Sequence, residues 1–183
     1  MTPQRGRGWR WRASYLFAAA ALYMADQASK AWAVRRLRSG EVVRVFDGLL
    51  HFGYAENTGV AFGRLQDGGE FGRWMLAALA ALAAAGLLAY FFRTRRTDDR
   101  LLGALALLLA GVAGNLTDRV RLGYVVDFIE VFIGSFQWPT FNVADAAICT
   151  GAALLALDLI LEGKREKGKR VEGERSGAEG ATP

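Results

Sequence analysis

One histidine and one cysteine are all that 183 residues contain. A catalytic zinc site takes about three His, Cys or carboxylate ligands, and no His-Glu-x-x-His occurs, so zinc hydrolysis is set aside and no metal or other cofactor is expected. His51 lies in strand-like sequence with no serine in a recognisable setting, which argues against a histidine-based serine mechanism. Lys30 is no better as a base, because Ser29 is its immediate neighbour and points elsewhere on a helix. Cys149 has no second cysteine to pair with, which excludes an internal disulfide framework and leaves it as a packing residue. Charge is also missing, but only locally: Trp74 to Phe92 carries none.

That charge-free block is one of four apolar runs, at about 11–34, 74–92, 101–120 and 143–161. Each approaches the roughly 20 residues that a helix needs to cross a bilayer. A soluble helix would alternate apolar and polar faces, yet Met75 to Ala89 and Leu101 to Val112 have no polar face. The first run continues past Asp26 into Ala31-Trp-Ala-Val34 with no small-residue cleavage site, so it reads as a retained helix rather than a signal peptide. The expected fold is an all-α membrane protein: a four-transmembrane-helix bundle forming one domain over 1–162. A charged, Gly-rich tail over 163–183 is expected to be disordered.

Basic residues set the orientation. Arg5, Arg7, Arg10 and Arg12 open the first run, Arg93, Arg95, Arg96 and Arg100 join the second to the third, and Lys164, Arg165, Lys167, Lys169 and Arg170 follow the fourth. The positive-inside rule places all three segments, and both termini, in the cytoplasm. The net charge of +5 is thereby accounted for without a nucleic-acid partner. Arg35, Arg36 and Arg38 stand against the rule, at the outer end of the first helix.

Under this topology the loops at about 35–73 and 121–142 face outward. At about 1.5 Å per residue, Asp26 in the first helix, Asn115 and Asp118 in the third, and Asn142 and Asp145 at the start of the fourth reach similar outer depth. Spacings of three put Asn115 with Asp118, and Asn142 with Asp145, on shared helix faces, and Asp26 can pair with Lys30 one turn on. Between the helices, Val42 to Phe46 and Leu49 to Tyr54 flank Asp47-Gly48, a dipeptide suited to a type I′ hairpin turn. Tyr124 to Ile133 is rich in Val, Ile and Phe and reads as extended. Phe136, Trp138 and Phe141 suit a membrane interface.

Ionisable residues in apolar surroundings are costly and mark functional sites. With metal, histidine and serine chemistry set aside, two carboxylates sharing a proton remain as a means of activating water. Asp26 has Lys30 nearby and Asp118 adjoins Arg119, so both read as structural. Asp127 and Asp145, with no cation within a helical turn, are left as the pair. The alternative, that each merely caps a helix or bonds backbone, stays open at this level. So does a reading from another class, a small transporter or channel component using the acids as an ion relay. A relay, however, would string its acids through the membrane depth.

At these residues the chain resembles the lipoprotein signal peptidases, or signal peptidase II. The resemblance spans about 22–160 and rests on Asp26-Gln-Ala-Ser-Lys30, Glu56-Asn-Thr-Gly-Val-Ala-Phe62, Gly114-Asn-Leu-Thr-Asp-Arg119, Val125-Val-Asp-Phe128 and Phe141-Asn-Val-Ala-Asp-Ala146, in family order. It implies an aspartic endopeptidase of the bacterial cytoplasmic membrane, with its site near the extracytoplasmic face. The implied substrates are diacylglyceryl-modified prolipoproteins, cut before the lipidated cysteine, with membrane lipids as the other partners. The implied catalytic dyad is Asp127 and Asp145. The implied supporting residues are Asp26, Lys30, Asn57, Gly59, Asn115, Asp118, Arg119, Asn142 and Ala144. A small outer β-cradle and a mobile outer helix, with the hairpin and the segment near 57–70 flanking the substrate, are also implied.

Overall fold

The computed structural model describes residues 9–59, 69–94 and 98–179. Four helices, α1 (Trp9–Leu37), α2 (Gly69–Arg93), α3 (Asp99–Arg121) and α4 (Val143–Glu179), are joined by strands β1 (Val43–Phe46), β2 (Leu50–Asn57), β3 (Val125–Ile133) and β4 (Phe136–Gln137). The strands form one antiparallel sheet in the order β1-β2-β3-β4.

Among the described residues, three helices are long and apolar enough to cross a membrane: α2, α3, and α4 as far as Lys164. In α1 the run is interrupted by Asp26, Gln27 and Lys30, which are half-buried or buried. α3 is the central element, packed against α1, α2 and α4. Its apolar window is 61% buried, whereas that of α2 is 11% buried. Leu79 and Leu82 of α2 stand exposed, as expected of a helix whose solvent is hydrocarbon.

Small residues set the close approach of α3 and α4. A Cβ on Gly111 would collide with the Ala144 carbonyl and come within 2.6 Å of Ile148 Cγ1. One on Gly151 would sit 2.9 Å from the Ala104 carbonyl. The opposite end of the bundle closes on Phe91, Leu101, Leu102 and Leu105. The buried Asp158 of α4 lies there, with Arg100 at 3.8 Å.

The sheet docks on the end of α1 through an aromatic triangle. Trp32 meets Phe52 at 5.6 Å and Phe128 at 6.2 Å, and Phe52 meets Phe128 at 6.0 Å. Ala33, Leu37 and Val126 fill the space around it. The hairpin expected at Asp47-Gly48 is present, but Phe46 pairs with Leu50, which leaves a three-residue connection in place of a two-residue type I′ turn. Gly48 there has a positive φ of 70°. A register shift between Arg44 and Phe46 accommodates the extra residue.

α4 continues to Glu179, beyond 163 where the sequence reading begins a disordered tail. Lys, Arg and Glu are good helix formers, and no proline interrupts the run before Pro183, so the helix propagates from the apolar segment.

The tight α3–α4 contact gives the first prediction. Gly111→Ala should lower stability by about 1–3 kcal/mol, since a backbone carbonyl must move. Gly86→Ala, whose Cβ meets nothing within 4 Å, should not. Thermal unfolding of the two purified variants in detergent measures the difference.

Candidate active site

The start of α4 is where the predicted residues meet. Asn142 is its N-cap, and Asp145 stands at the third helical position. The Asp145 N–H donates to Asn142 Oδ1 at 2.9 Å, and the Asn142 N–H donates to Asp145 Oδ2 at 3.3 Å. This reciprocal pair is a capping box, so the capping role left open for Asp145 is real. A further N–H of this turn, that of Ala144, donates to Asp26 Oδ1 of α1 at 2.8 Å. Two carboxylates thus face the positive end of the α4 dipole.

Capping occupies only one oxygen of Asp145. Its Oδ1 accepts from Asn115 Nδ2 of α3 at 2.7 Å. Asn115 cannot present its amide the other way round, because its own Oδ1 accepts from Lys30 Nζ at 2.9 Å. A flipped amide would set NH₂ against an ammonium. Lys30 therefore fixes which end of Asn115 meets Asp145.

The same ammonium lies 3.0 Å from Asp26 Oδ2 and 3.0 Å from Asp118 Oδ2, with all three side chains buried. The expected pairing of Asp26 with Lys30 is present, but Asp118 is neutralised by Lys30 rather than by its neighbour Arg119. Residues 118 and 119 diverge by about 100° around the helix, and Asp118 faces α1. Gln27 Nε2 completes the cluster, donating to Asp118 Oδ1 at 3.2 Å and to Asp26 Oδ2 at 3.1 Å. Asp118 also ties the sheet to α3 by accepting the Val126 N–H at 3.1 Å.

That bond seats β3 so that Asp127 follows directly. Asn142 Nδ2 donates to Asp127 Oδ1 at 2.7 Å, and Asn57 Nδ2, from β2, donates to Asp127 Oδ2 at 2.9 Å. Asn142 is itself held against β3 through Phe141, whose carbonyl accepts the N–H groups of Phe128 and Ile129 at 3.0 and 2.8 Å. One residue, Asn142, thereby bonds both Asp127 and Asp145. Burial pushes the Asp127 carboxyl up to about 6, and the charge of Asp145 acts in the same direction. Hydrogen bonds from Asn57 and Asn142, and the charge of Lys30, pull the other way.

Matches to known proteins now bear on this site. The sequence model of the family described as Signal peptidase (SPase) II matches residues 18–161. The chain belongs to the signal peptidase II family. It is 44% identical over 142 residues to the lipoprotein signal peptidase of Geobacter sulfurreducens, covering 77% of this chain and 88% of that one. To that of Xanthomonas campestris pv. campestris it is 41% identical over 154 residues, covering 84% and 92%. Two solved structures, each described as a bacterial membrane enzyme determined by the in meso method, superpose with TM-scores of 0.72. They are 26% and 27% identical, and the matches cover 84% and 80% of this chain and 91% and 92% of theirs. Together with the three apolar helices, these matches make the chain a multi-pass membrane protein. A member of this family is a peptidase, and its site must be able to hydrolyse an amide.

The remaining predicted residues sit around the two aspartates. Asn57 Oδ1 accepts the Gly59 N–H at 2.8 Å, and Gly59 holds a positive φ of 79° close against Leu76 of α2. A side chain there would be both strained and obstructed. Arg119 donates from Nη1 to the Asn115 carbonyl at 3.3 Å and lies within electrostatic range of Asp145 and Asp127. Ala144 is buried, and its Cβ stands 3.1 Å from where a Cβ on Gly114 would lie, so a small residue is needed on each side. Residues 60–68, on which the implied mobile outer helix and part of the flanking segment fall, lie outside the described residues.

Two participants were missed in the sequence. Gln27 lies inside a quoted motif, and its spacing of three from Lys30 was a usable signal. Arg73 had none: from α2 it donates to the Arg119 and Val120 carbonyls at 2.8 and 2.6 Å, closing the end of α3.

Removing the cation from this cluster would leave two buried carboxylates facing each other. Lys30→Met should cost about 3–5 kcal/mol of stability. Adding Asp118→Asn to that variant should recover part of the loss. Chemical unfolding of the wild type and both variants in one detergent would measure this.

Proposed function

We propose that this chain is an intramembrane aspartic endopeptidase that removes the signal peptide of diacylglyceryl-modified prolipoproteins, cutting before the lipidated cysteine. Asp127 and Asp145 form the catalytic dyad. What supports the reading most is the position of Asn142, hydrogen-bonded to both acids at once. Two carboxyls so held cannot both ionise freely, and the pair retains one proton over a range of pH.

Asp127, the more buried of the two, keeps that proton, and Asp145 carries the charge. Water placed between them loses a proton to Asp145 as its oxygen attacks the scissile carbonyl carbon. Asp127 donates its proton to the carbonyl oxygen. Collapse of the tetrahedral intermediate breaks the C–N bond: the proton taken by Asp145 passes to the departing amine, and Asp127 takes back a hydroxyl proton as the C=O bond re-forms, which restores the dyad. Asn115 and Asn142 keep the carboxyls oriented throughout, Asn57 holds Asp127 from the sheet, and Arg119 offers a cation beside the developing oxyanion.

The substrate's signal helix lies beside α3 and α4, with its lipid chains in the bilayer. α1 crosses the membrane as a fourth span, its polar residues turned onto α3 rather than toward lipid. Both termini are cytoplasmic, and the site opens near the extracytoplasmic face of the bacterial inner membrane.

Purified Asp127→Asn and Asp145→Asn, incubated with a lipid-modified prolipoprotein, should each lose at least 10³-fold in cleavage rate while unfolding at temperatures near that of the wild type. The wild type should leave a non-lipidated control intact. Near-normal turnover by either variant defeats the dyad assignment, and equal cleavage of the control defeats the substrate assignment.

A further inference from the structure

Three arginines stand near the end of α1 in a place where the basic-residue rule does not want them. Two are absorbed by the structure: Arg36 pairs with Glu41 at 2.8 Å, and Arg38 reaches Glu56 at 3.5 Å while lying over the Tyr54 ring. Arg35 has no carboxylate partner among the described residues. Its side chain instead lines a cavity of about 270 Å³ between the ends of α1 and α3. Arg121, the last residue of α3, lines the same cavity from the other side.

The bland role for a terminal arginine is to satisfy the last carbonyls of its helix. Here that role is filled from elsewhere, since Arg73 of α2 takes the Arg119 and Val120 carbonyls. The Leu122 and Gly123 N–H groups bond the Asp118 and Arg119 carbonyls at 2.7 and 3.2 Å. Arg121 is left exposed and, like Arg35, without a carboxylate among the described residues.

The rest of the cavity is of two kinds. Lys30 and Asp118 supply a wall whose charge is already committed to the buried cluster. Counting Asp26 behind them, three cations face two carboxylates, so the local balance is positive. Ala31, Val34, Leu122 and Val126 supply the apolar part, and Gln27 adds an amide beside Asp118. Two free guanidinium forks above an apolar wall, at the rim of a bilayer, match a phosphodiester attached to glycerol. The volume is below the usual range for a drug-sized ligand and suits a headgroup rather than a whole lipid.

We propose that this cavity, which backs onto the Lys30–Asp118 cluster supporting the peptidase site, binds the phosphate of an anionic phospholipid through Arg35 and Arg121. The lipid's acyl chains remain in the membrane. The anchored lipid clamps the end of α1 to the end of α3, beside the cluster that orients Asn115.

The test uses the full-length protein in a neutral detergent, with unfolding temperature as readout and three added probes. Dihexanoyl phosphatidylglycerol should raise the midpoint saturably. Dihexanoylglycerol, with the same chains and no phosphate, should not, and neither should glycerol phosphate at the same concentrations. Arg35→Gln and Arg121→Gln should each weaken the effect about fivefold. Should one variant fold poorly, the other reads the same site independently. The proposal is overturned if phosphatidylglycerol has no effect, if the double variant responds as the wild type does, or if dihexanoylglycerol stabilises equally. Equal stabilisation by glycerol phosphate would overturn the lipid assignment, placing a soluble phosphate there instead.

Discussion

Burying the Lys30 ammonium between Asp26 and Asp118 is the constraint on which the site's geometry rests. An unpaired ion at that depth would cost several kcal/mol, so the three side chains must converge, and each belongs to an element that is thereby positioned. Asp26 also caps α4 through the Ala144 N–H, and Asp118 seats β3 through the Val126 N–H. Lys30 itself turns Asn115 toward Asp145. The charged cluster thus joins α1, α3, α4 and the sheet at one end of the bundle. The two aspartates proposed to act on substrate are held one hydrogen bond further out.

This arrangement separates two demands that conflict in a catalytic carboxylate. A tightly neutralised acid is stable but inert, and an isolated one in apolar surroundings is reactive but costly. Asp26 and Asp118 take the first role by direct ion pairing. Asp127 and Asp145 receive amide donors in place of a cation, which holds them without discharging them. Burial then raises Asp127 toward the range where a carboxyl can both give and take a proton. Capping leaves Asp145 compatible with the role proposed for it, because one oxygen serves the helix end while the other faces Asn115.

Much of this was legible in the residues. Apolar runs located the helices, Asp47-Gly48 located the hairpin, and the depth of Asp26, Asn115 and Asn142 placed them together. Local reasoning failed where the partner was distant along the chain. Asp118 was assigned to adjacent Arg119, whereas its ion pair comes from Lys30, 88 positions away, because helical rotation turns neighbours apart. Arg73 was invisible for the same reason, as nothing near it in sequence announces the carbonyls it closes. The turn at Gly48 gained a residue because strand register is set by pairing along the whole hairpin and not by the dipeptide alone. Asp158, buried midway along α4 beside the partly exposed Arg100, gave no local sign of its burial.

The central claim is that Asp127 and Asp145 share a proton within one hydrogen-bonded unit. Carboxyl ¹³C resonances of the two residues, followed with pH in detergent-solubilised protein, test it without substrate. The account predicts that Asp127 releases its proton near pH 6, that the Asp145 resonance senses this step, and that Asp145→Asn alters the Asp127 titration. An Asp127 titration in the ordinary carboxylate range, unaffected by substitution of Asp145, would contradict it.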